Sequence, residues 1–146
     1  MCPLCANVLV NDIDKNQIIQ SSIGIRSTSK EKIFATCDFI VFCASQEYPN
    51  REIIAPETYD LLRPESVVIN VGRTSLLNHD LLIEMVKQQR FRSYIYDDLM
   101  RETDLPNEFE YGKIVPTGHT AWYTDEALMV GTTQWLKNLE NLCLEP

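Results

Sequence analysis

Three groups able to do chemistry each follow a short apolar run. Arg73 follows "SVVINVG" (66–72), the acids Asp97, Asp98 and Glu102 follow "SYIY", and His119 follows "KIVPTG". A guanidinium is a planar, permanently charged receptor for carboxylates. An imidazole exchanges its proton near neutrality, and a neighbouring carboxylate holds its tautomer. If the three runs are parallel strands, their carboxyl ends share one edge of a sheet, where ligands of α/β proteins gather. An arginine, an acid and a histidine brought together there could grip an anion and move a proton. Taken singly, each has an ordinary structural use as a turn anchor, a solvated loop acid or a loop histidine.

The elements that must position these groups are legible as alternating apolar runs and punctuators. Strands are predicted over 7–12 ("NVLVND"), 23–27 ("IGIRS"), 38–43 ("DFIVFC"), 66–72, 93–98 ("SYIYDD") and 113–117 ("KIVPT"). Helices are predicted at "KEKIFATC" with Ser29 as N-cap, at "PETYDLLR" with Pro56 in the first turn, and at "HDLLIEMVKQQR" capped by Asn78. A last helix, "DEALMVGTTQWLKNLENLCL", repeats apolar residues at helical spacing. Strand–helix alternation of this kind predicts an α/β fold with a doubly wound, mostly parallel sheet in one domain.

Composition limits the function. With 45% hydrophobic residues in 146, the chain can bury a core without metal or disulfide help. A net charge of −8 argues against nucleic acid and anionic membranes as partners. The first residues lack the pattern of a signal peptide, and no apolar stretch is long enough to span a bilayer. Five cysteines (Cys2, Cys5, Cys37, Cys43 and Cys143) form no framework spacing, which fits a reduced, cytoplasmic setting. Cys2-x-x-Cys5 has no second ligand pair, so no metal site is expected.

The order and spacing of Asn70, Arg73, Asp97, Glu102 and His119, within "PETYDLLRPESVVINVGRTSLLNHDLLIEMVKQQR", "YDDLMRE" and "PTGHTAW", resemble the D-isomer-specific 2-hydroxyacid dehydrogenases. The resemblance implies a Rossmann-type NAD-binding domain and hydride transfer between NAD(H) and a small 2-oxo or D-2-hydroxy acid. It assigns Arg73 to the substrate carboxylate, His119 to general acid–base work and Glu102 to the imidazole. Asp97 would bind the nicotinamide carboxamide. Asp12, ending its strand, would bind the adenosine ribose diol and so favour NAD over NADP. Cys43, Ala44, Val71, Gly72, Arg73, His119 and Ala121 would line the cofactor cleft. Relatives are usually dimers through this domain, so a homodimer is expected.

Departures accompany the match. Thr74 stands where the family has Gly, Gly118 where it has Pro, and Thr103 where Pro usually follows the Glu. The segment "HTAWYTDEAL" is closer to glycerate-type enzymes and to the C-terminal-binding-protein corepressors, and Glu102 argues against formate dehydrogenases. The five glycines (Gly24, Gly72, Gly112, Gly118 and Gly131) contain no Gly-x-Gly-x-x-Gly turn. The central strand of the doubly wound order is thus expected to be missing together with the substrate domain, leaving residues 1–146 as part of an NAD-binding domain. The strand carrying Asp12 then either stays apart, in a sheet fragment with open edges, or pairs directly with "DFIVFC". A longer native chain, a split partner or a swapped strand would complete the domain. A non-catalytic, NAD-responsive interaction module of the corepressor type and an inactive fragment are the alternatives to an enzyme.

Overall fold

The computed structural model describes residues 7–13, 25–45, 52–98 and 113–144. In chain order these contain β1 (Val8–Val10), β2 (Ile25–Ser27), α1 (Lys30–Thr36), β3 (Phe39–Phe42), α2 (Pro56–Tyr59) and β4 (Val67–Asn70). A 3₁₀ turn (Thr74–Leu76), α3 (His79–Lys87), β5 (Ser93–Tyr96), β6 (Ile114–Pro116) and α4 (Asp125–Leu144) follow. The helices begin where side chains can satisfy their first amides. Ser29 Oγ accepts from the Lys32 N–H at 3.3 Å, and Asn78 Oδ1 accepts from the Leu81 N–H at 3.1 Å. Pro56, with no N–H to leave unpaired, opens α2.

Every strand pairing among the described residues is parallel, as expected of an α/β protein. β3, β4, β5 and β6 lie side by side in that order, and β1 pairs with β2 in a separate sheet. The alternative in which β1 pairs directly with β3 is not formed. Three residues of β1 offer few ladder bonds with which to join the sheets. Among the described residues, β1 and β3 each keep an open edge.

Register places the core. Ile40, Val68, Tyr94 and Ile114 are cross-strand neighbours in one row, and all are buried. Phe34 of α1, Tyr59 of α2 and Leu82, Met85 and Val86 of α3 belong to the same apolar cluster. The opposite face alternates out of the core, as a two-residue period requires. There Phe39 and Val41 of β3 are 65% and 54% exposed, and Ile69 and Ile95 are only partly buried. A parallel sheet is normally covered on both faces, and the described residues cover this one well on one. The described side chains of α4 are also largely exposed, Trp135 at 75%. No helix among the described residues is long and apolar enough to cross a membrane.

Candidate active site

The carboxyl ends of β4, β5 and β6 meet, and three turns leave from them. The first is built on Asn70, the last residue of β4, which is 1% exposed. Its Oδ1 accepts the Gly72 N–H at 3.0 Å, and its Nδ2 donates to the Arg73 carbonyl at 3.1 Å. Gly72 is required by space, because a Cβ there would lie 2.8 Å from the Ala44 carbonyl oxygen. Arg73 follows in extended backbone (φ −94°, ψ 142°) and starts the 3₁₀ turn.

Asp97 follows β5 directly and is 4% exposed. Its Oδ1 accepts from the Thr117 hydroxyl and, at 2.7 Å, from the Thr120 N–H. Its Oδ2 accepts from the Ala121 N–H at 2.9 Å. Burial pushes the Asp97 carboxyl up, but the Thr117 hydroxyl and the Ala121 and Thr120 amides outweigh it. With a smaller pull from His119, the net effect holds the group below the usual carboxylate range. The next residue faces the other way, as successive extended residues do. Asp98 Oδ2 accepts from the Thr74 N–H at 3.2 Å and from the Thr74 hydroxyl at 2.9 Å.

The turn after β6 carries His119. Gly118 has φ +76° and His119 φ +61°, both left-handed. Proline, locked near −65°, could not replace Gly118 in this conformation, so the departure from the family pattern has a backbone reason. The His119 carbonyl accepts from Trp122 Nε1 at 3.0 Å, and the two rings are tilted with centroids 6.2 Å apart. His119 Nδ1 lies 3.4 Å from the Asp97 carbonyl oxygen and 3.7 Å from Asp97 Oδ2. Arg73 Nη1 lies 3.2 Å from Nδ1 and 3.3 Å from Nε2 of the same imidazole. A fixed cation and a proton-exchanging ring thus meet although 46 residues separate them.

Beside them is a cavity of about 250 Å³, walled by Ile69, Val71, Ile95 and Ala121 and by the polar Asn70, Asp97, Thr117 and Thr120. Asp97 links both features, lining the cavity and bracing the His119 turn. Of the residues singled out from the sequence, Asn70, Val71, Asp97 and Ala121 line the cavity. Arg73 meets His119, and Gly72 packs on the Ala44 backbone. Cys43 is exposed just past the end of β3, and Asp12 is exposed beyond β1 in the other sheet. Neither lines the cavity. Glu102 lies outside the described residues. Sequence reasoning passed over Thr117, Thr120 and the pairing of Thr74 with Asp98. The flanking hydroxyls of "TGHT" were the available signal for the first two.

Comparison with known proteins bears on the family and the fold. The family described as D-isomer specific 2-hydroxyacid dehydrogenase, NAD binding domain, matches residues 2–121. A provisionally named D-lactate dehydrogenase of Dictyostelium discoideum is 26% identical over 139 residues, covering 84% of this chain and 41% of that protein. An aromatic 2-oxoacid reductase of Clostridium sporogenes is 24% identical, covering 92% of this chain and 44% of that protein. Among solved structures, D-lactate dehydrogenase from Aquifex aeolicus, complexed with NAD and lactic acid, superposes with a TM-score of 0.76 at 18% identity. That match covers 94% of this chain and 46% of the other, and it bears on the fold. The chain spans 41–44% of the length of the curated relatives it matches.

Proposed function

Because the chain belongs to the family of D-isomer specific 2-hydroxyacid dehydrogenases, through their NAD-binding domain, we propose that it forms part of an oxidoreductase acting on NAD(H) and a small 2-oxo or D-2-hydroxy acid. The observation that carries this reading is the 3.2 Å approach of Arg73 to His119 beside a cavity braced by Asp97.

Arg73 binds the substrate carboxylate through its planar fork, which a lysine would not reproduce. His119 gives a proton to the carbonyl oxygen as the 2-oxo acid is reduced, and takes it back from the hydroxyl in the reverse direction. Glu102 holds the imidazole tautomer. Asp97, its oxygens already engaged by three donors, sets the His119 turn and offers its remaining lone pairs to a carboxamide. When bound, NAD supplies the hydride chemistry.

The residues present fit the nicotinamide end of that cofactor. A cavity of about 250 Å³ with apolar walls and one carboxylate suits a single heteroaromatic ring carrying an amide. In the same reading, Asp12 takes the adenosine ribose, and Cys43, Ala44 and Gly72 flank the cleft. The pyrophosphate cradle would come from outside these 146 residues, on a strand and glycine-rich turn. The open edges of β1 and β3 and the exposure of Phe39 and Val41 support that completion. A substrate domain and a homodimer complete the proposed enzyme.

The test is NADH oxidation driven by 2-oxo acids, using the longest form of the protein that its source makes. His119→Gln should lower kcat by about 10²- to 10⁴-fold, the range for a general acid. Arg73→Lys should mainly raise KM for the acid. Turnover unaffected by either change would refute the reading. NADH binding without turnover, indifferent to His119→Gln, would replace it with an interaction module.

A further inference from the structure

Two consecutive acids close β5, and each reaches a different turn. Asp97 binds the turn that carries His119 through the Thr117 hydroxyl and the Thr120 and Ala121 amides. Asp98 binds the turn that carries Arg73 through the Thr74 amide and hydroxyl. We propose that Asp98 is the positioning residue for Arg73, and that the Asp97–Asp98 pair together sets the arginine–imidazole geometry.

One peptide plane is held from both of its polar ends. The Arg73 carbonyl and the Thr74 N–H belong to the same planar unit. Asn70 Nδ2, from β4, donates to its oxygen at 3.1 Å, while Asp98 Oδ2, at the end of β5, accepts from its N–H at 3.2 Å. Two side chains from adjacent paired strands therefore hold the plane from opposite ends. The orientation of that plane defines ψ of Arg73, and the Gly72 N–H to Asn70 Oδ1 bond restrains the residue before it. Arg73 itself is exposed, and its guanidinium reaches the His119 ring. The backbone brackets must do what packing does not.

Asp98 suits the task better than a neutral acceptor. A carboxylate oxygen can take two donors at once, and bonds to an ionised acceptor are about twice as strong as neutral ones. The Thr74 hydroxyl supplies the second donor, which a glycine at that position would lack. Because Asp97 and Asp98 are adjacent, a shift of the β5 end moves both turns together and preserves the separation of Arg73 from His119. An error of about 1 Å at a reacting centre can cost about 100-fold in rate, so the bracket has a functional consequence. That consequence rests on the proposed role of Arg73 as an anion receptor; the bracket itself does not.

The experiment separates the two. In the full chain, amide hydrogen exchange of Thr74 and NMR relaxation of the Arg73 Nε–Hε group are measured for the parent, Asp98→Ala, Thr74→Val and Thr74→Ser. Oxamate, an unreactive analogue of a 2-oxo acid, is titrated into each. The proposal expects Asp98→Ala to lower Thr74 protection at least tenfold and to mobilise Arg73 Nε, with the α3 amides of Leu82 and Val86 unchanged. Thr74→Val should have a smaller effect in the same direction, and Thr74→Ser should restore parent behaviour. Oxamate affinity should fall in step with Arg73 order. Parent-like Thr74 protection and Arg73 relaxation in Asp98→Ala would overturn the proposal, and so would unchanged oxamate affinity in a variant whose Arg73 had been mobilised. If oxamate binds none of the proteins, the anion-receptor reading fails, while the exchange and relaxation data still decide the bracket. If Asp98→Ala does not fold, the Thr74 pair carries the same decision.

Discussion

Replacing Asp97 by alanine removes the acceptor that ties the end of β5 to the turn after β6. Three donors lose their partner: the Thr117 hydroxyl and the Thr120 and Ala121 amides. Hydrogen bonds to an ionised group contribute about 1.5–3 kcal/mol each. All three donor residues are exposed and can rehydrate, so the low end applies and the bonds are not additive. The expected loss is about 2–4 kcal/mol for Asp97→Ala, and about half of that for Asp97→Asn, which keeps a neutral acceptor. Urea unfolding followed by circular dichroism measures it, with the slope checked for a common two-state transition. The sign of the pH dependence follows from the lowered carboxyl. Its contribution is fully present above the unfolded value of about 3.9 and is lost as pH falls through the still lower folded value. The gap between parent and Asp97→Asn should therefore be constant from neutral pH to about 5 and close below about 4. A loss under about 0.5 kcal/mol for Asp97→Ala, within the range of an ordinary surface substitution, would refute the reasoning. A gap that persists at low pH would refute it too.

Gly131→Ala should stabilise the protein by about 1 kcal/mol, because the residue lies in α4 with nothing within 4 Å of an added Cβ; thermal unfolding reads this. Gly72→Ala should destabilise by about 1–3 kcal/mol, the cost of overpacking, since its Cβ would lie 2.8 Å from the Ala44 oxygen. Tyr59 accepts the Asn78 N–H at 2.9 Å, and burial pushes its phenol up to about 12 against that amide, with Glu52 adding to the rise. Its neutral form stabilises the fold fully below about pH 10, and this contribution is lost as pH rises through about 12. Tyr59→Phe should lack that alkaline component in equilibrium unfolding.

Much of the fold was legible because strand and helix signals are local. The runs at 66–72 and 93–98 contain β4 and β5, and Ser29 and Asn78 cap α1 and α3 as their spacing predicts. Boundaries were less legible. Of "PETYDLLR" only Pro56–Tyr59 is helical, and the strand around Asp12 is Val8–Val10. Ends depend on which backbone groups find tertiary partners, and a sequence window does not contain these. The site was legible as residue types. Arg73, Asp97 and His119 stood out as strand-end groups, whereas their supports Thr117, Thr120 and Thr74 did not. A hydroxyl becomes a brace only when a carboxylate from another strand arrives beside it.

The sequence by itself determined the parallel α/β class, the strands that precede Arg73, Asp97 and His119, and the family to which their spacing belongs. These follow from periodicity and side-chain chemistry, which are properties of neighbours along the chain. Only the tertiary structure decided that β1 stays apart from β3, that Gly118 and His119 share a left-handed turn, and that Arg73 and His119 meet at 3.2 Å. It also decided that adjacent acids divide between two turns, Asp97 to one and Asp98 to the other. Each of these outcomes depends on contacts between segments 20 to 50 residues apart, where pairing and packing, rather than local preference, select the conformation.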